Sequence, residues 1–148
     1  MRSLLALGGL LLSATPALAD DFLYLQCDTK FSNISKDLRV NKIIESKEGV
    51  DILISKVDLT NSRIMGARSD PEWEELEIVN GVHSVEVEEL ENGITTSMTM
   101  SMQVDPPGQV TLNILSRDDD VSSSIKMTGM CKEVDASVFE KALKESET

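Results

Sequence analysis

The chain has 148 residues, with 14 Lys and Arg against 26 Asp and Glu, a formal net charge of −12 and an isoelectric point near 4.4. A surface this acidic repels nucleic-acid phosphates and anionic lipid headgroups, which sets both aside as partners. With 41% hydrophobic but only 3% aromatic residues, the composition is that of a folded globular protein with enough chain to bury one core.

The first element in chain order is an export signal. Arg2 precedes an apolar run at residues 4–12, followed by Ser13-Ala14-Thr15-Pro16-Ala17-Leu18-Ala19. That order of charge, apolar segment and small-residue end is a secretory signal peptide over residues 1–19, cleaved near Ala19. The run is far shorter than the roughly 20 residues of a membrane-spanning helix, and no later stretch approaches that length. A secreted or periplasmic protein without a membrane span is expected, with residues 20–148 as a single β domain.

From Phe22 onward apolar residues recur with a period of two, and turn signals break the pattern at short intervals, as in an all-β meander. The first strand reads Phe22 to Cys27, with Leu23, Leu25 and Cys27 on one face. A second is expected over residues 37–45, a turn at Ser46-Lys47-Glu48-Gly49, and a third strand over residues 50–59. The apolar set of the third changes parity from Val50, Ile52 and Ile54 to Val57 and Leu59, which suggests a bulge near Ser55. Residues 60–71 carry no readable pattern.

Two Asn-Gly dipeptides then set hairpin registers, since that pair suits the two-residue turn with positive φ at both positions. Around Asn80-Gly81, Val79 pairs with Val82, Ile78 with His83 and Leu76 with Val85. Around Asn92-Gly93, Val87 faces Met98, Val85 faces Met100 and His83 faces Met102. Both registers place Leu76, Ile78, Val85, Val87, Met98, Met100 and Met102 on one side, as a correct alignment must. Asp105-Pro106-Pro107-Gly108 turns the chain, Val110, Leu112 and Ile114 continue the face, and Arg117-Asp118-Asp119-Asp120 makes the last turn. Ile125, Met127, Gly129 and Cys131 form the closing strand. A short helix at about 135–146 follows, capped by Asp135 with Val134 and Phe139 as a hydrophobic staple.

About eight strands in sequence, with Cys27 and Cys131 near the two ends, make the expected fold an antiparallel up-and-down meander curled into a barrel or half-barrel. In an exported chain two cysteines imply one disulfide, and only one intramolecular pairing exists.

Chemistry-bearing residues are few. Met98-Thr99-Met100-Ser101-Met102 faces His83, and alternate methionines project to one side of a strand. Flexible core packing is the plainer reading of these thioethers. The alternative is a periplasmic Cu(I)-binding site at His83, Met100 and Met102, because imidazole and thioether suit a soft cation. Between Arg68 and Arg117 there is no Lys or Arg but many Glu and Asp, and the hairpin register sets Glu75 opposite Glu86. A Ca²⁺ site or a basic partner would use this surface, although no EF-hand ligand order is present and a solvated face explains it as well. With one histidine, no HExxH, no GxSxG and no phosphate-cradling loop, nothing marks an enzyme. No cofactor is implied.

Tyr24-Leu25-Gln26-Cys27-Asp28 just after the leader, a strand ending near Arg117, and Gly129-Met130-Cys131-Lys132-Glu133-Val134 near the end resemble the short exported proteins of unknown function found in marine cyanobacteria. The resemblance covers only the ends of the chain and implies no activity. Lipocalin-type barrels share the meander-plus-helix plan, but this chain lacks their Gly-x-Trp signature. The expected role is a non-catalytic binding module for a small hydrophobic ligand or a protein partner.

Overall fold

The computed structural model describes residues 22–148; the expected leader and its cleavage point lie outside them. Nine strands and one helix follow one another: β1 Phe22–Asp37, β2 Lys42–Asp58, β3 Arg63–Gly66, β4 Glu74–Glu75, β5 Ile78–Val79, β6 Val82–Glu91, β7 Ile94–Gln103, β8 Gln109–Arg117, β9 Val121–Glu133 and α1 Ala136–Ser146. All belong to one antiparallel sheet in the order β4-β3-β2-β1-β9-β8-β7-β6-β5. This is the order of an up-and-down barrel opened between β4 and β5, a half-barrel with a short C-terminal helix.

The expected register around Asn92-Gly93 holds, and so do the first two pairs around Asn80-Gly81. Val87 is opposite Met98, Val85 opposite Met100, His83 opposite Met102, Ile78 opposite His83 and Val79 opposite Val82. Positive φ at Asn80, Gly81, Asn92 and Gly93 is the conformation this turn demands. Gly81 is further fixed because the Val104 and Asp105 N–H groups donate to its carbonyl at 2.8 and 3.2 Å, bringing the Asp105 carbonyl where a Cβ would stand.

Three expectations are corrected. β1 runs sixteen residues, not six, and turns at residues 38–41, so Ser46 to Gly49 lies inside β2. The strand passes Gly49 because Phe31 of β1 sits against it and covers the gap a missing side chain leaves. No bulge occurs near Ser55; the one register shift between β1 and β2 is at Ser35/Lys36. The change of parity in β2 is instead a change of environment, since Val50 and Ile52 are 77% and 58% exposed on the outer face while Val57 is fully buried. Finally, Leu76 does not extend the Asn80-Gly81 hairpin. That hairpin stops after two residue pairs because the chain arrives there from the opposite edge of the sheet, so Glu75 lies opposite Arg63, not Glu86.

The residues leading into this crossing place Trp73 on the outer face beside β1. It stacks on Phe22 with ring centroids 6.0 Å apart, Arg63 lies 4.3 Å from its ring centre, and the Lys56 ammonium lies 4.0 Å from that of Phe22. Tyr24 on the same outer face meets Phe139 of α1 at 5.9 Å, which seats the helix on the sheet. Asp135 takes the N-cap position, though its side chain makes no capping hydrogen bond.

The core lies at one end of the half-barrel, where Leu25, Cys27, Val57, Leu76, Met102, Val104, Val110 and Cys131 pack together. Cys27 and Cys131 are direct cross-strand neighbours on β1 and β9 and form a disulfide, with Cα atoms 3.9 Å apart. Nearby, the β2–β3 turn is organised by Asp58, only 2% exposed. Its carboxylate accepts from the Asn61 side chain at 2.8 Å, the Asn61 backbone N–H at 3.1 Å and the Arg63 guanidinium at 2.9 Å. These donors, the Asn61 side chain first, hold the carboxyl below its ordinary value of 3.8 against the opposing effect of burial. A lowered native value means the stabilisation is complete above the ordinary value and is lost as pH falls through the native one. Asp58→Asn should therefore reduce the thermal midpoint at neutral pH and flatten the decline below about pH 4; an acid limb identical to wild type would assign the loss to other carboxylates.

Candidate functional site

The strands that share the core at one end diverge at the other. β3 covers β2 only along residues 55–58, and β5 covers β6 only at Val82 and His83. Among the described residues, β2 over residues 42–53 and β6 over residues 84–91 thus pair on one side only. The two edges run antiparallel and form the lips of a groove whose floor is the concave face of the sheet.

Register dictates what lines it. Leu53 and Ser55 from β2, Val85 from β6, Met98, Met100 and Met102 from β7, Val110 from β8 and Met127 from β9 all enclose a cavity of about 450 Å³, which Ile64 and Gly66 of β3 complete. That volume is within the roughly 300–1,000 Å³ of small-molecule sites. Leu112, Ile114 and Ile125 continue the concave face by alternation, since Leu112 lies opposite Met100 and Met127, and Ile114 opposite Met98 and Ile125. Leu76 and His83 close the narrow end. At the rim, Arg68 donates to Glu74 at 2.8 Å, with Glu75 beside it. A larger depression of about 510 Å³ lies around Phe31 and Gly49, but Lys30, Glu48, Lys126 and Thr128 line it, and such walls suit water better than an apolar guest.

The sequence-derived candidates are gathered here. His83, Met100 and Met102 face the same cavity. His83 is 8% exposed, and its Nδ1 lies 2.7 Å from the Glu77 carbonyl. A carbonyl only accepts, so Nδ1 carries the proton and donates, leaving Nε2 as the acceptor nitrogen. Met127 joins the group, which spacing alone does not reveal; Met65 and Met130 stay on the outer face, Met65 opposite Lys56 and Met130 opposite Asp28. Sequence reading misses the contribution of Ile64 and Gly66 of β3, and of Arg68 just after it, because a four-residue strand inside an irregular stretch has no period long enough to detect.

The acidic surface is dispersed. Among the described residues no three His, Cys, Asp or Glu side chains converge as a metal site would require, and Asp118 spends its carboxylate on the backbone N–H groups of Asp120 and Val121 at 2.8 and 2.6 Å. Glu86, Glu88, Glu89 and Glu91 ride on the free edge of β6, where charge opposes edge-to-edge pairing. No helix of the described residues is long and apolar enough to cross a membrane. The chain matches no protein-family model, no curated protein and no solved structure, so what this groove does is read from its own residues.

Proposed function

We propose that this protein is an exported, non-catalytic binding protein that holds a small hydrophobic molecule in the concave face of its half-barrel. One observation carries the reading: a folded chain leaves an apolar groove of about 450 Å³ unfilled between two unpaired sheet edges. Packed interiors leave few voids larger than a water molecule, so an open apolar space of this size is a cost unless it is occupied. The flexible thioethers of Met98, Met100 and Met127 line it with surface that adapts to a guest. A periplasmic or extracellular setting accords with the disulfide and the leader read from the sequence.

Gly66 supplies the test. A Cβ built on it meets nothing within 4 Å, so a large side chain there projects into open space and leaves the fold intact. The wild-type protein should give a saturable fluorescence rise with N-phenyl-1-naphthylamine. Gly66→Phe should weaken that binding by about tenfold, the loss of roughly 1.4 kcal/mol of contact, with the thermal midpoint unchanged. Absence of saturable binding to the wild type would remove the proposal.

A further inference from the structure

We infer that the narrow end of the groove is a binding site for a soft monovalent metal ion, Cu(I), with His83 Nε2 and the thioethers of Met100 and Met102 as ligands. The inference goes beyond the hydrophobic-ligand reading and stands separately, since it concerns the closed end and not the open trough.

The histidine carries the argument. It is the only one in the chain, and it is more than nine-tenths buried. Its Nδ1–H is tied to the Glu77 carbonyl, which fixes the tautomer and turns the ring as a backbone partner does for metal-bound imidazoles. Its Nε2 has no hydrogen-bond partner among the described residues, where no sealed-off side-chain nitrogen or oxygen lacks one; Nε2 therefore keeps accessible surface, and His83 lines the cavity. A buried imidazole with one nitrogen oriented and the other unspent is a ligand awaiting an acceptor of its lone pair.

The neighbours decide which acceptor. Met102 lies directly opposite His83 on the adjacent strand, and Met100 follows two residues along the same face. Met98 and Met127 border the same space, whose carboxylates stand at the rim, Glu74 paired with Arg68 and Glu75 beside them; next to His83 the donors are imidazole and thioether. Among the described residues no set of three His, Cys, Asp or Glu side chains accompanies them, so hard or borderline divalent ions find too few ligands there. A neutral soft set suits a monocation, whose single charge costs less to bury than a divalent one. The chain's net charge of −12 raises the local concentration of any cation.

Anaerobic titration of the purified protein against a Cu(I)–bicinchoninate complex should withdraw one equivalent of metal. Met100→Leu with Met102→Leu conserves side-chain volume and should keep the fold while weakening Cu(I) by at least about 100-fold, the upper end of what even an outer partner's loss costs. His83→Ala should do the same. Independently of any variant, Ag(I) added to the wild type should shift the ¹³C-methyl signals of Met100 and Met102 and leave those of Met65 and the exposed Met130 in place. Failure to withdraw Cu(I), full affinity in the double variant, or silver shifts confined to Met130 would each overturn the site. N-phenyl-1-naphthylamine binding to the metal-free wild type reports on the open trough separately.

Discussion

Replacing Cys27 and Cys131 together by alanine is expected to lower stability by about 4–5 kcal/mol in the chain-entropy account, because the bridge closes a loop across 104 positions of sequence. For a domain of this size that is a drop of roughly 10–25 °C in thermal midpoint. Alanine is the proper replacement, since the two side chains are 3% and 5% exposed and serine would bury unpaired hydroxyls. The bridge also has a topological task. β1 and β9 are the seam at which the two wings of the sheet join, β2 to β4 on one side and β5 to β8 on the other. With the seam unlinked, loss of the groove should accompany loss of stability. Urea denaturation of the oxidised wild type and the double variant measures the effect; a difference under about 1 kcal/mol would show that strand pairing alone holds the seam.

Leu76→Ala is expected to cost about 2–5 kcal/mol, the range for removing a fully buried leucine. Leu76 is 1% exposed and lies between β4 and β5, the two edges of the sheet. Its N–H donates to the Ser62 carbonyl at 2.8 Å, and its side chain joins the core cluster with Leu25, Val57 and Val104. One residue thus ties the two wings together at the closed end and floors the groove beside His83. Its truncation should lengthen the cavity as well as destabilise the fold, so naphthylamine binding should persist while the urea midpoint falls. A midpoint near that of wild type would mean that this end is held by the backbone crossing and not by packing.

The site and the fold were legible in the sequence to different depths. His83, Met100 and Met102 share a face because the Asn-Gly turns at Asn80 and Asn92 leave β6 and β7 one compatible register. Where a turn has no such signature the reading slips. Residues 38–41 form the β1–β2 turn through Asn41 with positive φ and the Asp37 carboxylate accepting from the Arg39 and Val40 N–H groups, while the more glycine-like Ser46 to Gly49 is strand. Local composition favours the wrong turn there; the long antiparallel pairing with β1 outweighs it.

The amino-acid pattern by itself determined that this is a β meander with a terminal helix, that Cys27 can only pair with Cys131, and which side chains of the second hairpin stand together. These follow from interactions spanning few residues, or from there being one combination to choose. Only the tertiary structure decided that the barrel stays open, that Leu76 carries the chain from one edge to the other, and that Ile64, Gly66 and Met127 complete the groove around the methionines. Closure depends on how far strands distant in sequence overlap. The lengths of β3, β4 and β5 set that overlap, and runs of two to four residues are too short to carry a period of their own.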